Sequence, residues 1–494
     1  MKTKLYISAI ICFLFSMNIF ASGLPGVNRY SNLPPVVLQQ VALDGNNINA
    51  WIINSGIIDQ NLMTTNTPGF EWPKYSGQFA IFTAGLTIAA MVNGNLRMAA
   101  ASYKGEYAPG YVIDSSGIPV PQTNSNFRIW KVVKGQNTSY DWLNWGLMVP
   151  YGAPFVDVNH NGIYEPAVDT PGISSASQTI FVCLTDGFTS SHTIGEGFGG
   201  GTAPLYAELH MTAWCYSNTG YEDMQFLRWN VINKSHLAWN SAYFAIISDP
   251  DLGCANDDYI GCDTTRSLGY CYNGEDVDCA GSYRYPGITP AVGIKWLSTS
   301  LQANLKMTSF VNFTNTSTQA PPCEHDPNGE DTGAYNMMKG LKKDATPFVI
   351  PPGGSASLVT KYVYPGDPET GTGWTEGVPG SPTGSVWNCG GPGHYTGDLH
   401  SPNVYGDRRF VMSSGSDSYT VNPGDTNKIY AVQLIAQGTS RLNSVTRLKQ
   451  LADFAQAFYT GGFMSRKLSP QAVTLELESS VKTARQMVSS RLPA

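Results

Sequence analysis

The 494-residue chain carries 30 Lys and Arg against 37 Asp and Glu, a net charge of −7, and only 14% of its residues are charged. Such a mildly acidic, sparsely charged surface argues against nucleic acid and anionic membrane as partners. The length allows two or three domains, each able to bury a core of its own.

Lys2 and Lys4 give a basic start, residues 5–20 are apolar apart from Ser and Asn interruptions, and "NIFASG" supplies small residues for cleavage. This is the pattern of a secretory signal peptide over residues 1–22, too short and wrongly flanked for a spanning helix. The expected location is therefore secreted or cell surface. Without the leader, 28 basic residues face 37 acidic ones, a charge of −9. No later stretch approaches the ~18 consecutive apolar residues of a transmembrane helix.

Downstream the hydrophobic period is two. "QFAIFTAGLTIAAMV" (78–92), "FRIWKVV" (127–133) and "QTIFVCLT" (178–185) read as strands. In "YAELHMTAWCYS" (206–217), Leu209, Met211, Ala213 and Cys215 share one face. The turn-rich "NTGYED" then leads to "FLRWNVIN" (226–233), so the pair is expected to form a hairpin. "AYFAIIS" (242–248) is apolar enough to be buried on both faces. "KMTSFVNFT" (306–314) and "KIYAVQLIA" (428–436) repeat the style. These runs, separated by turns such as "VNGN" and "VNPGD", predict a mainly β protein of antiparallel β-sandwich-like domains.

The predicted organisation is a signal peptide at 1–22, an N-terminal β domain at 23–175 and a second β-sandwich domain at 176–438. A helical C-terminal segment at 439–494 completes it. In that segment Leu442, Val445, Leu448, Ala452 and Ala455 recur at helical spacing, and Ser469-Pro470 opens a second helix. Residues 365–403 form a long Gly/Pro-rich loop inside the second domain.

Between the early strands lies "VDVNHNGIYEPAVDTPG" (156–172). Asp157, Asn159 and Asn161 offer oxygens at loop positions one, three and five, Gly162 permits the sharp turn, and Ile163 presents a carbonyl. Alternating hard oxygens of this kind suit calcium. The twelfth position is Val168, so Asp169 is the expected closing carboxylate. Two Asn in place of Asp predict weak binding, on the order of 10⁻⁴ M. The alternative is an Asn-Gly turn without an ion.

A second acidic stretch, "SDPDLGCANDDYIGCDTT", contributes Asp249, Asp251, Asp257, Asp258 and Asp263. Ionised together they would repel one another, which a bound cation, again calcium, would relieve. The alternatives are a paired-carboxylate glycosidase site and a plain solvated loop.

Eight cysteines follow Cys12, an even number that suggests disulfides in an exported chain. The spacing C-x7-C-x8-C-x7-C predicts the local bridges Cys254–Cys262 and Cys271–Cys279. Zinc is the rival reading, although its ligand pairs usually sit closer in sequence. H-E-x-x-H, G-x-S-x-G and C-x-x-C-H motifs are absent from the sequence.

Five stretches together carry a resemblance: "GFEWPKYSGQFAIFTAGLTIAAMVNGNLRMAAASYKGEYAPG", "FLRWNVINKS", "SDPDLGCANDDYIGCDTTRSLGYCYNG", "DRRFVMSSG" and "TVNPGDTNKIYAVQLIAQG". Over roughly residues 45–460 the chain resembles uncharacterised bacterial surface proteins commonly exported by the type IX (Por) secretion system. The resemblance implies a secreted, surface-associated β protein and transfers no activity to any residue. Such proteins typically continue into a C-terminal sorting domain, where this chain has its helical segment. The resulting expectation is a calcium- and disulfide-stabilised extracellular structural or adhesive protein without catalysis. Its partners would be surface polysaccharide or another surface protein. The alternative is a carbohydrate-active hydrolase using the carboxylates at 249–263.

Overall fold

Side chains that alternate inward and outward along each strand put one face of every long strand on a shared core, and two antiparallel sheets result. The computed structural model describes residues 37–112, 124–193, 197–299, 306–315, 320–350, 359–377, 385–386, 389–391, 399–400 and 405–463. The expected signal peptide and the helix expected from Ser469 lie outside the described residues.

The first sheet runs, in spatial order, Gln40–Leu43, Ala50–Ile53, Ile57–Ile58, Thr83–Val92, Asn240–Asp249, Arg409–Gly415 and Ser309–Phe313. Asn95–Ala99 also pairs with Thr83–Val92. The second runs Asp258–Asp263, Leu268–Asn273, Ala291–Ser298, Thr426–Ala436, Met224–Asn233, Ala207–Cys215, Gln178–Thr185 and Ala108–Pro109. Trp130–Val133 also pairs with Gln178–Thr185. The fold is thus mainly β and sandwich-like, as the period of two predicts.

Leu86, Ile88 and Ile246 of the first sheet share one buried cluster with Leu209, Met211 and Trp229 of the second. The face predicted for Leu209, Met211, Ala213 and Cys215 is the one that enters it. The predicted hairpin forms, with Ala207–Cys215 antiparallel to Met224–Asn233. Residues 242–249 are buried throughout. The helix Asp331–Met338 explains part of this, because the Tyr335 ring packs edge-on to Tyr243 and its hydroxyl donates to the Ser241 carbonyl at 2.7 Å.

The boundary expected between 175 and 176 does not separate the sheets. Ile247 pairs with Gly85 in the first sheet, and Phe181 pairs with Trp130 in the second. Alternation marks a segment as a strand but carries no information about its partner, and here the partners lie far apart in sequence.

The outer face of the second sheet is covered at one end by the helix Arg441–Thr460. Ser440 caps it, its hydroxyl accepting from the Asn443 N–H at 3.1 Å. Val445, Leu448, Ala452, Ala455 and Phe458 lie in one cluster with Tyr270, Val432 and Leu434 of the sheet. At the other end Trp142, Trp145 and Met148 pack on Trp130, Phe181 and Cys183. The first part of the Gly/Pro-rich loop is braced against this frame. Asp367 pairs with Lys449 at 2.9 Å, and buried Glu376 holds Arg408 at 2.9 Å.

The cysteines pair differently from the sequence expectation. Cys254 bridges Cys279, and Cys323 bridges Cys389, while Cys183, Cys215, Cys262 and Cys271 are buried and unbridged. The hairpin Asp258–Asp263/Leu268–Asn273 is the cause. Its register sets Cys262 opposite Gly269 and Cys271 opposite Ile260, so the inner cysteines are diagonal neighbours on one core-facing side. Diagonal positions stand ~7–8 Å apart, beyond the reach of a disulfide. The outer pair flanks the base of the hairpin and closes it.

Candidate metal centre

The loop expected to bind calcium is pinned at both ends. Phe155–Val156 pairs with Thr170–Pro171, and the buried Tyr164 donates its hydroxyl to the Trp142 carbonyl at 2.6 Å. Between these anchors the chain turns through His160 at φ 59° and Gly162 at φ 77°. A Cβ on Gly162 would meet nothing within 4 Å, so the glycine serves the backbone angle alone.

Asp157 accepts from the N–H groups of Asn161 and Gly162 at 3.2 and 2.7 Å. The Oδ1 atoms of Asn159 and Asn161 accept from the N–H groups of Asn161 and Ile163 at 3.3 and 2.7 Å. Both Asn side chains donate to Glu165 Oε2, at 2.6 and 2.8 Å. Turning the two amides over would offer their oxygens where the Nδ2 groups now point, beside a carboxylate that already faces them. Glu165, at loop position nine, is a residue the sequence reading passed over. The signal for it was present, since position nine of such loops often reaches the ion through water.

Asp169 does other work. Its two oxygens accept from the N–H groups of Val158 and Glu165 at 2.9 and 2.8 Å, so this buried carboxylate ties down the base of the loop. Asp157, Asn159 and Asn161 share one turn through their own hydrogen bonds, and Ile163 is exposed beside them.

The second acidic stretch divides. Asp249 and Asp251 join Asp407, their ligand oxygens lying within 4.8 Å of one another. Asp249 ends one strand of the first sheet, and Asp407 precedes the neighbouring strand Arg409–Gly415. Tyr103 donates to Asp249 Oδ2 at 2.9 Å. Arg409 Nε stands 3.2 Å from Asp249 Oδ1 but off the hydrogen-bond direction, and its Nη1 holds Asp326 at 3.1 Å. One guanidinium therefore pairs with three carboxyl groups, Asp249, Asp326 and Asp407. Burial pushes Asp249 up to about 7 against the pull of Arg409. Burial, with Asp249 and Asp407 beside it, lifts Asp251 well above the carboxylate range. The surplus negative charge is relieved by protons or by a cation.

The other three carboxylates are held locally. Asp257 accepts from the Cys279 N–H at 2.9 Å, and Asp258 from the Leu252 N–H at 3.1 Å. Asp263 accepts from Thr265 and Arg266, and although burial opposes them, these bonds hold its carboxyl below the usual range. Arg266 also grips Asp453 of the C-terminal helix at 2.8 Å. The expected five-carboxylate cluster is thus a pair at 249 and 251 with an unforeseen third member at 407. Sequence distance hid Asp407, which reaches the site through strand pairing.

Neither a protein-family model nor a curated protein matches this chain.

Proposed function

We propose that this chain is a secreted or cell-surface structural or adhesive protein without catalysis, its β frame stiffened by calcium and by disulfides. The 157–169 loop carries the reading. Its Asp157, Asn159, Asn161 and Glu165 side chains meet in one exposed turn, clamped at its base by Asp169 and by the Phe155–Val156/Thr170–Pro171 pair. The leader-like residues 1–22 and the bridged cysteines support a place outside the cell, where disulfides persist. The likeness to surface proteins of the type IX route points the same way. Among the described residues no helix is long and apolar enough to cross a membrane. Surface polysaccharide or another surface protein is the partner this reading implies.

A carbohydrate-active hydrolase has less support. Glycoside hydrolysis needs two carboxyl groups about 5 Å or more apart with a sugar between them. Asp249 is instead buried and engaged by Tyr103 and Arg409, while Asp257, Asp258 and Asp263 are engaged by neighbouring donors.

Calcium titration of the chelator-treated chain, followed by thermal melting, tests the proposal. Calcium at 100 times its dissociation constant should stabilise the fold by ~2.7 kcal/mol. Asp157→Ala and Glu165→Gln should each remove most of that gain. A melting temperature indifferent to calcium overturns the reading, and loss of the gain in Asp407→Asn alone moves the ion to the Asp249, Asp251 and Asp407 carboxylates.

A further inference from the structure

Three metal-ligating side chains outside both acidic regions meet on the outer face of the second sheet. Glu208 and His210 are two apart on the strand Ala207–Cys215 and so point the same way. Cys183, on the adjacent strand Gln178–Thr185, is directly opposite His210 in the register. One ligand atom from each residue lies within 4.8 Å of the other two.

We propose that Cys183, Glu208 and His210 form a binding site for zinc or a similar borderline divalent cation, with the fourth coordination position left open. Thiolate, imidazole and carboxylate are the three ordinary protein ligands of zinc, and a thiolate disfavours calcium and magnesium. Three protein ligands with one vacancy is an arrangement that zinc accepts readily.

The surroundings already orient these ligands. Glu208 Oε1 stands 2.9 Å from His210 Nε2, and Oε2 accepts from the Val112 N–H at 2.9 Å. The other imidazole nitrogen is covered by Gly152, where an added Cβ would come within 2.1 Å of Nδ1. Nε2 is therefore the nitrogen turned toward the carboxylate. Cys183 donates its S–H to the Gly110 carbonyl at 3.2 Å. The Val112 bond holds the carboxylate as an outer-shell partner does in metal sites, while the Cys183 S–H bond is given up when the thiol loses its proton. Charge balances too: thiolate and carboxylate together neutralise a divalent ion, and Lys234, 3.8 Å from Glu208, is the nearby competing cation. The site is sheltered without being sealed, since the His210 side chain keeps 12% of its surface exposed. Binding releases the thiol proton to solvent as the S–metal bond forms.

The test uses the full chain, freed of metal by chelator and titrated with Co²⁺ and then Zn²⁺. Co²⁺ should bind one-to-one with a sulfur-to-cobalt charge-transfer band in the near ultraviolet, which Zn²⁺ should then abolish. Cys183→Ser should lose the band, and His210→Gln should weaken Co²⁺ binding at least tenfold. Cys215→Ser and Asp157→Ala should leave both readouts unchanged. Should Cys183→Ser fail to fold, His210→Gln, which alters a partly exposed side chain, decides alone. Absence of the band in the wild type, or an affinity unmoved by His210→Gln, overturns the proposal. Neither result depends on whether the 157–169 loop takes calcium.

Discussion

Asp59 shows how one buried carboxyl joins the two sheets. It follows the strand Ile57–Ile58 of the first sheet and adopts φ 76°, its N–H donating to the Trp51 carbonyl at 2.7 Å. Its Oδ2 accepts from Gln433 of the second sheet at 2.5 Å, and the residue has no exposed surface. Burial pushes this carboxyl up to about 8, with the Gln433 bond pulling only weakly the other way. A folded-state value above the unfolded one means that folding takes up a proton. The contribution is fully present below the unfolded value near 4 and is lost as pH rises through about 8. Asp59→Asn keeps the shape, tolerates the positive φ and has no proton to lose. Denaturant unfolding at stepped pH should show the variant gaining on the wild type between those limits, by at most about 1.4 kcal/mol per pH unit. A constant difference across that range would mean that Asp59 is ionised in the fold.

Individual elements were legible where they are long and alternate regularly. Residues 178–185, 226–233 and 428–436 lie within strands, and the helix at 441–460 buries Val445, Leu448, Ala452 and Ala455 of the positions its spacing marks, with Leu442 half-buried. The hairpin at 258–273 escapes the pattern, because its Asp, Gly, Cys and Tyr residues suggest a cation loop and mask the alternation. Its symmetry was nonetheless present in the cysteine spacing: two cysteines inside and two outside a turn fit a hairpin closed at its base. Asp257 and Asp278 support that closure by accepting from the Cys279 and Cys254 N–H groups at 2.9 and 3.1 Å. The Cys254–Cys279 bridge closes a loop with a sequence separation of 25, which in a chain-entropy account is worth about 3–4 kcal/mol. Mass spectrometry of the unreduced digest should find these two peptides cross-linked. Cys254→Ser with Cys279→Ser should lower unfolding stability by up to that amount. Cross-links from Cys254 to Cys262 would contradict the hairpin register itself.

At the scale of the whole molecule, the candidate sites depend on strand pairing that sequence patterns do not encode. Asp407 meets Asp249 because Arg409–Gly415 pairs with Asn240–Asp249, and Cys183 meets His210 through the register of two adjacent strands. The same interleaving fixes how the protein can be divided. In the first sheet the central strand Asn240–Asp249 has Thr83–Val92 on one side and Arg409–Gly415 on the other. A fragment beginning at residue 176 would therefore keep Arg409–Gly415 and lose Thr83–Val92, leaving eight ladder positions from Asn240 to Asp249 without their partners. It would also uncover the apolar face that Leu86 and Ile88 share with Ile246. Unpaired backbone groups and a bared core face are each costly, and an open hydrophobic edge invites association. The fragment 176–463 should accordingly show no cooperative thermal transition, bind a hydrophobic dye and aggregate. Residues 37–463 should melt as one unit by both near- and far-ultraviolet circular dichroism. A monomeric fragment that melts cooperatively would restore the boundary at 175. Supplying residues 37–175 in trans should rescue the fragment if the pairing of Thr83–Val92 with Asn240–Asp249 is the missing contribution.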